Sequence, residues 1–155
     1  MGKAAFNNLR NNLAKKSVTD NYESGGIFYG DNLIEIKGKK DEHSIPITLY
    51  DKINGLMHNH VKAGYSILSY SDIIAISQIY TQGLMMSPQG FFFGVTTHQK
   101  TNYLLTIENV SLFSTYADKI VKGISPGLPY EFLYEGLVNN NNSVQQNLNG
   151  FLNYL

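Results

Sequence analysis

The sequence contains no cysteine and no tryptophan, and only 15% of its 155 residues are charged. Without thiols the chain can form neither disulfides nor thiolate metal sites, so any metal must be bound by histidine and carboxylate side chains. The absence of cysteine suits a reducing or an oxidising compartment equally. Basic and acidic side chains number 12 each, so the formal net charge is zero. We therefore expect no nucleic-acid partner and no anionic membrane surface.

Long apolar runs are also missing from the sequence. No segment approaches the ~20 apolar residues that a membrane-spanning helix needs. The N-terminal residues lack the apolar core of a signal peptide, so we expect no secretion by that route. The compartment stays open, because the chain could act in the cytoplasm or be exported as one module of a larger polypeptide.

The length and the 43% hydrophobic share suit one domain with its own core. Apolar periodicity predicts a helix over residues 4–16 and another from Ser69 to about residue 82. From residue 110 onward the pattern is helical in pieces, with breaks at 123–129 and 139–142. Strand-like segments are predicted at 25–29, 33–37, 45–50, 53–58, 91–97 and 103–107.

This order of elements predicts an α/β fold, with a mixed β-sheet flanked by helices. We expect a single domain over residues 1–155, with a core at about 20–110 and a helical C-terminal extension at about 110–155. The first two strands are expected to form a hairpin that turns at residues 30–32. The aromatic run at residues 91–93 is expected to lie in the sheet core.

The segment His58-Asn59-His60 is the strongest functional signal in the chain. Alternating side chains in a strand place His58 and His60 on one face and Asn59 on the other. Asp72 follows in the predicted first turn of the next helix, where a carboxylate is favoured by the helix dipole. Two imidazoles, one carboxylate and an open fourth position are typical of a hydrolytic zinc site.

Two further residues are candidates for catalysis beside a metal. Glu23 leads into an apolar strand through two glycines that permit close backbone approach, so it is a candidate base. Ser69 occupies the cap position of the helix that contains Asp72, and its hydroxyl could donate to an oxyanion. Glu35 and Glu42 also precede the histidines, but their patterns favour a solvated strand face and a charged loop.

Other histidines and the helix cap allow simpler interpretations. His43 and His98 could be additional ligands, although their positions favour a loop and a strand end at the surface. Ser69 and Asp72 taken alone are typical of a helix cap with a first-turn carboxylate. The capping and the metal-binding roles of these two residues can coexist.

The pattern of Glu23, His58-Asn59-His60 and Ser69-Tyr70-Ser71-Asp72 resembles the motif of the JAMM family of zinc metalloproteases, whose domain is called JAB or MPN. The Glu-x-Gly-Gly-Ile opening is similar to bacterial members, and the resemblance covers residues 20–110. It implies a cytidine-deaminase-like fold, zinc bound by His58, His60 and Asp72, Glu23 as general base and Ser69 as oxyanion stabiliser. Val61 stands where many members have proline, and the spacing before Ser69 is one residue longer than usual.

The resemblance implies a metallohydrolase that cleaves a peptide or isopeptide bond in a protein substrate, including ubiquitin-like tails. Bacterial members also occur as peptidase modules of phage-tail or toxin-like polypeptides. One alternative is a catalytically inert MPN-fold scaffold for protein interaction, although scaffold relatives usually lack ligands that this chain retains. Another is a metal-binding α/β domain without catalysis. Metal analysis and an activity assay separate these hypotheses.

Overall fold

The computed structural model describes residues 2–42, 44–123 and 129–155 of the chain. Within these ranges it contains helices and strands in alternating groups. They are, in order, α1 (Lys3–Thr19), β1 (Ser24–Tyr29), β2 (Asn32–Lys37), β3 (Gly55–His60), α2 (Tyr70–Thr81), β4 (Phe92–Thr97), β5 (Asn102–Thr106), α3 (Val110–Lys122), α4 (Pro129–Leu137) and α5 (Val144–Tyr154).

The strands form one five-stranded sheet in the order β2-β1-β3-β4-β5. Strands β3 and β4 are parallel and are connected through α2, whereas the other neighbouring pairs are antiparallel. This is the geometry expected when a helix joins two strands that run in the same direction. The predicted class, α/β with a mixed sheet flanked by helices, is confirmed.

Side chains from the two faces of the sheet form two apolar clusters. On one face, Leu9 and Leu13 of α1 pack with Phe28, Met57 and Phe92 of the sheet. The opposite face carries the larger cluster, to which α2, α3 and the two C-terminal helices contribute. Its members include Ile27, Leu56, Ile73, Ile76, Phe91, Phe93, Val95, Ile120, Tyr134, Val138 and Phe151. The predicted place of residues 91–93 in the sheet core is confirmed.

The predicted hairpin is confirmed, with Tyr29 opposite Asn32 and Gly30 at a φ of 61° in the turn. Glycine adopts this left-handed conformation without the steric cost that other residues meet. The predicted helices at the N-terminus and after Ser69 are also confirmed. Gly83, at a φ of 69°, follows the C-cap of α2, as helix ends commonly require.

Two strand predictions need correction. The strand predicted at 53–58 lies at Gly55–His60, so it contains both histidines. Residues 45–50 form no strand among the described residues, although inner and outer residues still alternate there. Pro46 removes one backbone donor from that segment, which disfavours a regular ladder. Of the predicted break at 123–129, residues 124–128 lie outside the described residues.

No helix in the described part of the chain is both long enough and apolar enough to cross a membrane.

Gly25 is the residue of β1 at which a side chain would crowd both neighbouring strands. It pairs with Ile36 on one side and His58 on the other. A Cβ atom at this position would lie 2.7 Å from the carbonyl oxygen of Met57, 3.1 Å from Cβ of His58 and 3.3 Å from Cγ1 of Ile36. A shift of the β3 backbone would cost free energy, so close packing of the strands requires glycine at position 25.

Gly25→Ala should lower the free energy of unfolding by about 1–3 kcal/mol, because the added methyl overpacks the sheet. Gly136→Ala is the matched control, since apart from its chain neighbours and the nearby backbone of α4 no described atom lies within 4 Å of its Cβ position. That change should stabilise the protein by roughly 0.5–1 kcal/mol through helix propensity. Urea unfolding followed by circular dichroism measures both, and a neutral Gly25→Ala would contradict the packing argument.

Candidate metal centre

The end of β3 and the start of α2 bring three ligand side chains together. His58 and His60 alternate with Asn59 along the strand and therefore point to the same face. Asp72 lies in the first turn of α2. All three are buried, with relative exposures of 5%, 3% and 8%. The predicted ligands form the one group of histidine and acidic side chains in the described residues that could hold a metal ion.

A capping box holds the carboxylate of Asp72 in place. The backbone N–H of Ser69 donates to Oδ2 of Asp72 at 2.6 Å, and the backbone N–H of Asp72 donates to Oγ of Ser69 at 3.2 Å. The hydroxyl of Tyr134 donates to the carbonyl of Leu68, immediately before the cap. The cap and ligand roles of Asp72 are therefore compatible in one conformation, because Oδ2 accepts the hydrogen bond of the cap while Oδ1 faces His58.

The three ligand groups converge on one point. Nε2 of His58 lies 3.1 Å from Nε2 of His60 and 3.1 Å from Oδ1 of Asp72, and Nε2 of His60 lies 3.2 Å from Oδ2 of Asp72. Ligand atoms ~2.0–2.1 Å from a tetrahedral metal are roughly 3.3 Å apart. The observed separations are within a few tenths of an ångström of that value, so the residues present fit a metal ion.

The hydrogen bonds of His60 define which of its nitrogens can bind a cation. Nδ1 lies 3.0 Å from the carbonyl oxygen of Tyr65, which can only accept, so Nδ1 carries the proton. In the neutral ring Nε2 then carries a lone pair that faces the carboxylate of Asp72. Two acceptors at this distance repel each other unless a proton or a metal ion lies between them. A carbonyl partner of this kind is typical of metal-bound histidines.

Without a metal, a proton satisfies the same requirement. Burial on its own lowers the pKa of His60, but the charge and hydrogen bond of Asp72 outweigh it, with smaller contributions from the charge of Glu23 and the carbonyl of Tyr65. The pKa of His60 is therefore raised to about 9. Burial also acts to raise the pKa of Asp72, but the charges and hydrogen bonds of His58 and His60 hold it well below its usual range.

His58 is held mainly by packing. Its ring meets that of Phe93 edge to face, with centroids 5.5 Å apart. Its Nδ1 is buried and has no hydrogen-bond partner among the described residues. Both histidines contact Asp72, but they differ at the rest of the ring, since Nδ1 of His60 faces a backbone carbonyl and the ring of His58 meets an aromatic neighbour.

Glu23 is brought to the site by the pairing of β1 with β3. It directly precedes β1, is buried at 5% exposure, and lies two residues before Gly25, which pairs with His58. The side chain of Asn59 accepts a hydrogen bond from the backbone N–H of Ser24 at 2.7 Å, which ties the start of β1 to β3. Glu23 is near enough for its charge to raise the pKa of His60.

The five predicted site residues line one cavity of about 260 Å³. Glu23, His58, His60 and Asp72 form its buried floor, and half-buried Ser69 lines its side. The structure thus brings together all the residues that the motif singles out, from β1, β3 and the first turn of α2.

The competing candidates lie elsewhere. Glu35 is exposed on β2. Glu42 is also exposed, and its Oε1 lies 3.6 Å from Nζ of Lys39. His98 lies outside the group of potential ligands and lines a separate polar cavity. His43 lies outside the described residues. Glu23 is therefore the candidate base that the structure places at the metal ligands.

Sequence reasoning missed the residues that act through their backbone or from distant elements. The carbonyl of Tyr65 and the hydroxyl of Tyr134 belong to a loop and to a C-terminal helix, and no local pattern marks them. The strand-like composition of residues 45–50 could not indicate that Ile45 and Ile47 line the cavity.

Comparison with known proteins yields no relative: no protein-family model matches the chain, and no curated protein or solved structure matches it.

We expect one metal ion per chain, bound by His58, His60 and Asp72. The double variant His58→Ala/His60→Ala should lose the metal, whereas His98→Ala should retain it, because His98 lies outside the ligand group. Elemental analysis of proteins purified without added zinc measures the metal content. Equal metal in wild type and the double variant would show that the metal is bound elsewhere.

Zinc affinity should rise with pH, because the metal must displace the proton that His60 holds below about pH 9. Below that pH the apparent affinity should fall about tenfold for each unit, since one proton is released on binding. Above about pH 9 the zinc affinity should depend less on pH, because His60 no longer holds that proton. Calorimetric titration in buffers of different ionisation enthalpy counts the released protons, and release of none at pH 7 would refute the protonated state.

Proposed function

We propose that this protein is a zinc-dependent hydrolase of the JAMM type that cleaves a peptide or isopeptide bond. The observation that carries the proposal is the cavity in which His58, His60 and Asp72 meet Glu23 and Ser69. A metal-ligand group alone would be compatible with a purely structural ion. A buried carboxylate and a hydroxyl beside an open ligand group are the additional parts that hydrolysis requires.

The ligand set favours zinc. Two imidazoles and one carboxylate are typical of catalytic zinc sites, which leave a fourth position open. A bound zinc ion would supply a Lewis acid that polarises a carbonyl oxygen and acidifies a water molecule. The chain contributes the ligand geometry, the capping box that holds Asp72 and the carbonyl of Tyr65 that orients His60.

Glu23 would act as the general base. Its carboxylate lines the floor of the cavity with the ligand atoms, so it can accept a proton from the attacking water molecule. It would then pass that proton to the leaving amine, because the amine departs only when protonated. The overall reaction adds one water molecule across the amide bond and yields a carboxylic acid and an amine. Close contact between β1 and β3, permitted by Gly25, keeps this carboxylate near His58.

Ser69 would stabilise the developing oxyanion. Its Oγ accepts a hydrogen bond from the backbone N–H of Asp72, which leaves the hydroxyl hydrogen available to donate into the cavity. One such donor typically contributes roughly 10²–10³-fold in rate. The helix cap keeps the donor in position before substrate arrives, so no reorganisation is needed.

The architecture also supports the proposal. A mixed sheet with parallel β3 and β4, joined through the helix that contains Asp72, agrees with the MPN-type fold that the motif implies. We propose a protein or peptide substrate, with an isopeptide-linked or ubiquitin-like tail as one form of it. A peptidase module within a phage-tail or toxin-like polypeptide would use the same chemistry.

Turnover decides between this hydrolase and an inert scaffold that binds the same metal. Labelled peptide libraries and ubiquitin-like conjugates provide the substrates for a screen with zinc-loaded protein. On a substrate found in this way, Glu23→Gln should lower kcat by ~10²–10⁴-fold and change substrate binding little, because a general base acts in the transition state. The variant should keep its zinc, since Glu23 is not a ligand.

Glu35→Gln is the matched control, because it makes the same chemical change on the exposed face of β2. It should leave both zinc content and kcat unchanged. Cleavage by Glu23→Gln at the wild-type rate would exclude the proposed mechanism. Loss of zinc from Glu23→Gln would show instead that Glu23 is a ligand.

A further inference from the structure

One side of the metal-centre cavity is apolar and has no part in the proposed chemistry. We name it the aliphatic wall and define it as Ile36, Ile45, Ile47, Leu56 and Ala75. These side chains come from β2, the segment before β3, β3 itself and α2. The aliphatic wall and the candidate metal ligands thus line the same cavity, although the elements that form the wall are far apart in sequence.

Strand pairing places the wall next to the ligands. Gly25 pairs with Ile36 and with His58, so both side chains lie on the same face of the sheet, with one glycine between them. A Cβ on Gly25 would touch both, at 3.3 Å from Cγ1 of Ile36 and 3.1 Å from Cβ of His58. Because Gly25 has no side chain, aliphatic surface continues to the first ligand.

The helix and the segment before β3 complete the wall. Ala75 lies one turn after Asp72 on α2, so the two residues share a side of the helix. Ile45 and Ile47 are half-buried, whereas Pro46 between them and Thr48 after them are exposed. This segment belongs to no strand, and its inward alternation directs isoleucine side chains towards the cavity. The small side chain of Ala75 leaves room opposite them.

The aliphatic wall carries no charged side chain, and no lysine or arginine among the described residues lines the cavity. An acidic substrate side chain would lose its hydration against the wall, where no cationic side chain would compensate that loss. An uncharged aliphatic side chain would gain from burial at the same surface.

We propose that the aliphatic wall is the subsite for a branched aliphatic side chain of the substrate, at the residue beside the cleaved bond. This inference rests on the proposed hydrolase and adds its specificity. The cavity of about 260 Å³ is small for a ligand site. It therefore accepts one such residue, and the remaining substrate lies outside, across the exposed rim at Ser44, Ala63 and Ser71.

Alkyl hydroxamic acids test the subsite without any need for turnover, because the hydroxamate group binds zinc and the alkyl chain probes the wall. The probes are acetohydroxamic acid, isocaproyl hydroxamic acid and the monohydroxamic acid of succinic acid. Each buried methylene contributes roughly fourfold in affinity. Isocaproyl hydroxamic acid should therefore bind zinc-loaded protein on the order of 10²-fold more tightly than acetohydroxamic acid, and the succinic probe should gain nothing.

Variants of the wall assign this preference to named residues. Ile47→Ser should reduce the preference for the isocaproyl probe about tenfold, through lost apolar contact. Ile34→Ser is the matched control, because Ile34 is 49% exposed on β2 and lies outside the lining. Ala75→Leu fills the cavity without removing core contacts, so it should weaken isocaproyl binding and leave acetohydroxamic acid binding unchanged.

Each outcome of the titrations supports or overturns one proposal. Equal binding of the three probes to zinc-loaded protein would overturn the aliphatic subsite while leaving the hydrolase intact. An equal effect of Ile34→Ser and Ile47→Ser would also overturn it. If Ile47→Ser fails to fold, the effect of Ala75→Leu on binding of the isocaproyl probe decides whether the aliphatic subsite exists. Protein that binds no zinc would overturn the proposed function itself, and the subsite with it.

Discussion

The structure depends on the need to compensate the carboxylate of Asp72, which meets two imidazole rings in a buried space. Nε2 of His58, Nε2 of His60 and the carboxylate of Asp72 lie 3.1–3.2 Å apart. Burial of such groups is costly unless a cation lies between them. A proton on His60, whose pKa is raised to about 9, provides that cation in the metal-free protein. The same three side chains could hold a metal ion, and clusters of such perturbed groups are candidates for functional sites.

Several parts of the fold share in maintaining this arrangement. The capping box of α2 uses Oδ2 of Asp72 for the backbone N–H of Ser69, so the start of the helix and the position of the ligand are coupled. The C-terminal helices hold the loop before it, because the side chain of Asn147 donates to Oγ of Ser66 at 2.8 Å and Tyr134 donates to the carbonyl of Leu68. Helices remote in sequence therefore support the metal centre.

The same cavity has a polar part and an apolar part. Its polar floor holds the ligands and the candidate base, whereas its aliphatic wall continues the apolar core towards solvent. Such a division is common in ligand sites, where a few polar groups orient the substrate and apolar surface supplies much of the affinity. In this chain the boundary between the two parts runs through Gly25, whose missing side chain brings Ile36 close to His58.

Local patterns in the sequence determined the α/β class, the first hairpin, the shared face of His58 and His60, and the place of Asp72 in a capped helix turn. Periodicity and capping depend on residues within a few positions of each other, so they can be read from sequence alone. Only the tertiary structure decided that β1 pairs with β3, which brings Glu23 to the ligands. It also decided that Ile45 and Ile47 line the cavity although their segment does not join the sheet. Strand partners and cavity walls depend on which distant faces are buried together, and no local pattern encodes that choice.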